Sequence, residues 1–208
     1  MPIGAEKIGD FLDRLAERVP APAGGAAAAV QAAQGAALLG MVARYTTGPA
    51  YAEHQETIGR IITEVDELRQ IALRLAEADG DAFTAVADAY KLPAATRAQR
   101  AVRTEVMARA LVNAAWPPAR IIAVAGMVVD LAEALAAIGN RNVLGDVAAA
   151  AEAARAAAAT GRVNVEINLA GITDEEASLE MIAETGRADD IIARAEQVTA
   201  AIREQIRG

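Results

Sequence analysis

The sequence predicts an all-α fold, a multihelical bundle of about seven to nine helices forming one domain over residues 1–208. Three observations predict it. Apolar residues follow helical spacing along nearly the whole chain. The composition is 54% hydrophobic but only 3% aromatic, so the core rests on Ala, Val, Ile and Leu, small residues that favour helices packed at short axial distance. Only Arg162 to Leu169 alternates as a strand does, and a lone strand has nothing to pair with, which leaves helix or extended linker for that segment.

Phe11, Leu12 and Leu15 mark a first short helix, stopped by Pro20 and Pro22. A second runs from about Gly24 to Arg44, where only Gln31 and Gln34 interrupt small apolar residues up to Gly40, and Gly48-Pro49 breaks the chain after it. Between Tyr51 and Asp79 the set Ile61, Val65, Leu68, Ala72, Leu75 recurs in alternating steps of four and three, a coiled-coil-like seam with Glu56 and Arg60 paired on the outer face. Phe83, Val86 and Tyr90 suit a further short helix that Pro93 ends. Thr96 and Gln99 form a capping box before a helix carrying Val102, Val106 and Leu111. Trp116-Pro117-Pro118 is expected to interrupt it, with a new helix over Ile121 to Ile138. Asp146 opens an Ala-rich helix as its N-cap. Thr173 and Glu176 make a second capping box ahead of a terminal helix with Ile182, Ile192, Ala195, Val198 and Ile202. So much Ala beside a heptad-like seam points to dimerisation through long helices, and a homodimer is expected, with an intramolecular bundle as the alternative.

The formal charge is -8 with no basic block, which argues against phosphate-driven binding to nucleic acid while leaving room for a local basic pocket. No cysteine is present, so disulfides, thiolate nucleophiles and thiolate metal sites are excluded, in keeping with a reducing compartment. The N-terminus does not read as a signal peptide, and the most apolar stretch, Ile121 to Val129, is shorter than the ~20 residues a bilayer requires. A soluble cytoplasmic chain is the expectation.

Two segments could carry chemistry. Gly24 and Gly25 stand at a helix start whose free amide N–H groups favour an anion or polar ligand, although a helix start needing close packing explains them equally. Gly139-Asn140-Arg141-Asn142-Val143-Leu144-Gly145-Asp146 is rich in amides and ends on a carboxylate. Asp146 reads as an N-cap, as a catalytic acid or base, or as both. Asn140 and Asn142 read as turn residues or as groups that bind a heterocycle with donors and acceptors. Lys91 ends a helix, where a cation suits the dipole. His54 lies among Glu53, Gln55 and Glu56 on a solvated helix and has no assigned role. One His, no Cys and no clustered carboxylates leave no metal site to expect.

Pro20-Ala21-Pro22-Ala23-Gly24-Gly25-Ala26-Ala27-Ala28 resembles the proline-glycine-rich opening of the cyclodeaminase/cyclohydrolase family of folate enzymes. In the same order, Tyr45-Thr46-Thr47-Gly48 resembles that family's threonine-glycine turn. Asp81-Ala82-Phe83 leading to Ala89-Tyr90-Lys91-Leu92-Pro93 resembles its middle motif. Gly139-Asn140-Arg141-Asn142 with Asp146, then Asn164-Val165-Glu166-Ile167-Asn168, resembles its C-terminal pair. Ala23 replaces a glycine of the pattern, Gly145 a serine and Ala94 a lysine, and a lysine-rich stretch shortens to Pro49-Ala50. Fewer cations imply weaker binding of a polyglutamate tail.

The resemblance implies action on a one-carbon unit carried by tetrahydrofolate. The reaction is either cyclodeamination of the formimino group, releasing ammonia, or hydrolysis of the methenyl bridge to a formyl group. No cofactor beyond the tetrahydrofolate substrate is implied. It implies Asp146 as the proton-transfer group, Asn140, Asn142 and Asn164 as holding the pterin edge and Asp146, and Lys91 and Arg141 as facing the anionic side of the folate. Gly24 and Gly25 would line the same cleft and admit the flat ring. A non-catalytic helical homodimer that keeps the scaffold is the alternative.

Overall fold

The structure is a computed structural model describing residues 2–207. Six helices carry the chain: α1 (Ile8–Ala16), α2 (Gly24–Tyr45), α3 (Gln55–Lys91), α4 (Arg97–Ile138), α5 (Leu144–Leu169) and α6 (Glu175–Arg207), with short 3-10 turns at Ile3–Ala5, Pro49–His54 and Arg141–Val143. No strand occurs among the described residues.

The all-α expectation holds, with fewer and longer helices than the sequence suggested. The expected short helix around Phe83 is the last part of α3, because Gly80 stays helical. Pro117 and Pro118 lie inside α4 rather than between two helices. A helical proline lacks the N–H that would bond four residues back, so Pro118 orphans the carbonyl of Ala114. Asn168 Nδ2 donates to that oxygen at 3.0 Å, and a side chain from α5 thus repairs the break. Arg162 to Leu169 is the last part of α5, with Val165 buried and Val163 and Ile167 exposed.

Two helix starts also differ from expectation. Thr96 and Gln99 form both bonds of their capping box. Before α6, however, it is Asp174 rather than Thr173 whose carboxylate accepts from Ala177 N–H, at 2.9 Å. α5 begins at Leu144, so Asp146 lies in its first turn and does not cap it.

α2 is the central rod. Its buried residues are almost all Ala and Gly, so the neighbouring backbones come close. Gly40 lies against Val65 and Gly25 against Asp79, which sets α3 antiparallel on one flank. Gly35 lies against Ala150 and Gly24 against Asn164, which sets α5 antiparallel on the other. α4 runs behind, with Val128 beside Gly35. α6 closes the bundle against α4 and α5. There Arg194 bridges Glu133 at 2.6 Å and Asp130 at 2.5 Å, and Thr199 donates to Glu152 at 3.0 Å. Leu39, Ile121, Ile122, Leu135 and Ile202 fill the space between these helices.

α2 and part of α4 are long and apolar enough to cross a bilayer by length and composition, a longer run than Ile121–Val129 alone suggested. About half or more of each apolar window is buried inside the bundle, at 61% and 50%, the arrangement of core helices.

Candidate functional site

A carboxylate that the sequence reading passed over organises the N-terminal end of α2. Ala23, the N-cap, offers no side-chain acceptor, so the first amides of α2 need an acceptor from elsewhere. Asp79 of α3 supplies it and accepts a hydrogen bond from Ala26 N–H. The approach is so close that a Cβ on Gly25 would lie 2.0 Å from Asp79 Oδ1. Only glycine fits there, for reasons of space rather than backbone angle.

Asp79 is 9% exposed, the one acidic or basic residue among the buried residues described. Burial pushes its carboxyl up from 3.8 to about 6, the Ala26 hydrogen bond only partly opposing this. A carboxyl in that range both takes and gives a proton near neutral pH, which acid–base work requires. Beside it, Asn164 donates Nδ2 to Thr160 O at 2.8 Å and holds its carboxamide 3.5–3.8 Å from where a Gly24 Cβ would stand. Gly24 itself is exposed, so this corner of buried acid, free helix start and carboxamide opens to the surface.

Asp79 had a signal in the sequence. The seam of α3 steps from Ile61 through Leu75, and one further step of four reaches Asp79. A carboxylate at a core position of an apolar seam is costly unless it has a partner and a use.

At the opposite end of α2 the amide-rich loop takes a different form. Thr46 is fully buried, donates to Val42 O at 2.8 Å and accepts Asn140 N–H at 3.0 Å. Asn140 also donates Nδ2 to Tyr45 O at 2.8 Å and accepts Asn142 N–H at 3.0 Å. Asn140 is therefore a turn residue that ties the loop to α2. Arg141 and the Asn142 side chain are exposed, and Arg141 makes no ion pair among the described residues. Asp146 is half-buried in the first turn of α5, where a carboxylate suits the helix dipole.

The expectation that these residues line one cleft is corrected by the helix geometry. Gly24, Gly25 and Asn164 sit at one end of α2. Asn140, Arg141, Asn142 and Asp146 sit toward the other, ~25–30 Å away along the axis at 1.5 Å per residue. Lys91 belongs to neither group. It ends α3, ~18 Å beyond Asp79 on the same scale, exposed and paired with Asp88 at 2.8 Å. Near it, Arg103 stacks 5.9 Å over the Tyr90 ring, and a groove of about 430 Å³ opens between Tyr90, Arg100, Arg103 and Thr104. No group of three or more His, Cys, Asp or Glu side chains that could hold a metal ion occurs among the described residues.

Comparison with known proteins adds to this geometry. The formiminotransferase-cyclodeaminase family model matches residues 7–187. A methenyltetrahydrofolate cyclohydrolase of Methylorubrum extorquens is 36% identical over 182 residues, 87% of this chain and 88% of that protein. The formimidoyltransferase-cyclodeaminase of Rattus norvegicus is 33% identical over 166 residues, which cover 79% of this chain but 31% of that longer protein. The crystal structure of a formiminotetrahydrofolate cyclodeaminase from Thermotoga maritima superposes with a TM-score of 0.87 at 30% identity, covering 98% of this chain and 99% of that one.

Proposed function

The chain belongs to the formiminotransferase-cyclodeaminase family, and from that we propose that it is a folate one-carbon enzyme acting on a tetrahydrofolate-bound carbon. Its substrate is a tetrahydrofolate derivative and its working form a homodimer in the cytoplasm, with no further cofactor. One observation carries the reading: a buried carboxyl at about 6 faces a glycine-cleared helix start beside a carboxamide.

Both reactions of the family pass through a tetrahedral carbon between two nitrogens and need a proton moved to or from nitrogen. Asp79 suits that step. When ionised it takes a proton from the attacking water or nitrogen, and when protonated it returns one to the departing nitrogen. Such assistance is worth ~100- to 10,000-fold in rate. Asn164 offers a donor and an acceptor for a pterin edge, and Gly24 leaves space for a flat ring. Asp146, with Asn142 and Arg141, remains the second group of the proposal, and Lys91 a candidate for the anionic tail.

Hydrolysis of the methenyl bridge is the first activity to test, because the cyclohydrolase relative matches this chain over almost the full length of both. The absorbance of methenyltetrahydrofolate should fall faster with purified protein than alone. The cyclodeaminase reading is favoured by the structural neighbour and is tested with the formimino substrate by ammonia release. Failure of both assays removes the proposed function. Nothing in the comparisons supports the alternative of a non-catalytic scaffold.

A further inference from the structure

Resting on the folate reading above, we propose that Asn168 is a positioning residue for the candidate site: its carboxamide joins the proline break of α4 to the last turns of α5 and so aims Asn164 at Gly24. The two N–H groups of that one side chain go to different places. Asn168 Nδ2 donates to Ala114 O and to Asn164 O, both at 3.0 Å. One bond reaches the neighbouring helix. The other reaches back one turn, to the backbone of the residue beside Gly24.

The break in α4 makes the first bond available. Pro117 and Pro118 remove the N–H groups that would serve Asn113 O and Ala114 O. Asn113 is exposed, where water can serve its carbonyl, whereas Ala114 is 6% exposed and needs a donor from the protein. An unbroken helix would present α5 with no unpaired carbonyl. The proline pair thus creates the acceptor on which Asn168 fastens, and this is the one hydrogen bond joining α4 to α5 among the described residues. The same break touches α5 a second time. A Cβ on Gly161 would stand 3.1 Å from Pro118 O and 3.0 Å from Ile122 Cγ1, so that turn of α5 packs directly on the broken turn.

Elsewhere α4 and α5 meet through buried Ala, Val and Ile. Smooth contacts of that kind fix how far apart two helices lie. A hydrogen bond is directional, and it also fixes how α5 is turned about its axis. A turn of about 20° carries a group ~5 Å from the axis through ~2 Å. The ion pair of Arg162 with Asp189 ties α5 to α6, but it reaches solvent, where such pairs hold weakly.

That orientation matters because of the Asn164 carboxamide. One of its N–H groups is spent on Thr160 O, at 2.8 Å. The other N–H and Oδ1 remain, the nitrogen 3.5 Å and the oxygen 3.8 Å from where a Gly24 Cβ would stand. These are the groups assigned above to the pterin edge. A spacing of four puts Asn164 and Asn168 on one face of α5. Ala114, Asn168, Asn164 and Gly24 therefore link three helices in one contiguous path.

Three variants separate mending the break from aiming Asn164. Asn168→Leu keeps the branched shape and removes both donors. Its melting temperature should fall by about 3–10 °C as Ala114 O loses its partner. In Pro118→Ala/Asn168→Leu the restored N–H serves Ala114 O within α4, and melting should return to that of Pro118→Ala alone. KM for whichever folate the wild type converts should nonetheless stay raised roughly 5- to 10-fold over Pro118→Ala, the worth of one hydrogen bond, with kcat within about two-fold. A merely structural role would do the reverse, lowering the apparent kcat through a smaller folded fraction at constant KM. Asn164→Ala should raise KM by a similar factor. Adding Asn168→Leu to it should change KM by less than about two-fold, because one residue acts through the other.

An unchanged KM in the double variant at restored melting overturns the positioning role, as do additive effects of Asn164→Ala and Asn168→Leu on KM. A Pro118→Ala/Asn168→Leu protein that does not fold overturns it too, since α4 then needs more from position 168 than a donor for Ala114. A wild-type protein that converts neither folate overturns the functional reading itself. An active wild type with the same KM in Asn168→Leu overturns the role of Asn168 alone.

Discussion

The two ends of α2 hold their polar groups in opposite ways. At the C-terminal end, Thr46 and Asn140 satisfy one another and the backbone through four bonds, at 2.8, 3.0, 2.8 and 3.0 Å. At the N-terminal end, Asp79 is taken out of water with Ala26 N–H as the bond opposing its desolvation. The first arrangement stabilises the fold. The second works against it at neutral pH and yields a carboxyl able to exchange protons there. The polar residues that make a turn and the carboxyl proposed for proton transfer are thus set apart, at the two ends of α2, by how completely their bonds are met.

The largest effect expected to test this contrast comes from Asp79→Asn. Turnover should fall ~100- to 10,000-fold as proton transfer is lost. Stability should move the other way. The folded-state value of about 6 lies above the ordinary 3.8, so the protonated group's contribution is complete below pH 3.8 and is lost as pH rises through about 6. The variant should therefore be the more stable protein at pH 8, by roughly 3 kcal/mol, and the gap should close toward pH 4. Urea melts at both pH values decide it, and a variant less stable at pH 8 would break the comparison.

Gly25→Ala comes next. A methyl group placed 2.0 Å from Asp79 Oδ1 must displace the carboxylate or the helix start, at a cost of ~1–3 kcal/mol. Activity should fall nearly as far as in Asp79→Asn, with no gain in stability at pH 8. At the other end, Asn140→Ala should act mainly on stability, by ~1–3 kcal/mol, because Tyr45 O and Asn142 N–H lose their partner. Thermal melting together with turnover at saturating substrate separates the two effects. The smallest change belongs to Lys91→Ala. An exposed lysine paired only with Asp88 should alter KM for a polyglutamylated substrate several-fold and leave kcat unchanged, which steady-state kinetics on mono- and polyglutamyl folates will show.

Much of the fold could be read from residue order, because helix formation is local. The spacing in Ile61–Val65–Leu68–Ala72, the Thr96–Gln99 box and the smooth run after Gly24 each state a helix and its buried side within about one turn of chain. Where reading failed, the deciding contact came from afar. Pro117-Pro118 looked like a break because the repairing amide of Asn168 lies 54 positions from Ala114. Asp146 looked like a cap because the contact that fixes the loop before α5, Asn140 N–H to Thr46 Oγ1, spans 94 positions. The candidate site divided in the same way. Gly24, Gly25 and Asn164 were legible as candidates but were placed in one cleft with Asn140, Asn142 and Asp146, while the seam that led to Asp79 was followed only as far as its apolar members.

The chain's own order of residues determined that it is all helix, that small side chains let those helices close in, and which glycines and amides stand at their ends. Tertiary structure alone decided which ends meet. It set Asp79 against Gly25, moved Asn140 and Asp146 to the far end of the same rod, and left one face of α2 bare. The physical reason is range. Propensity, capping and periodicity act over a few residues, whereas desolvation and close backbone approach depend on whatever helix arrives from elsewhere in the chain.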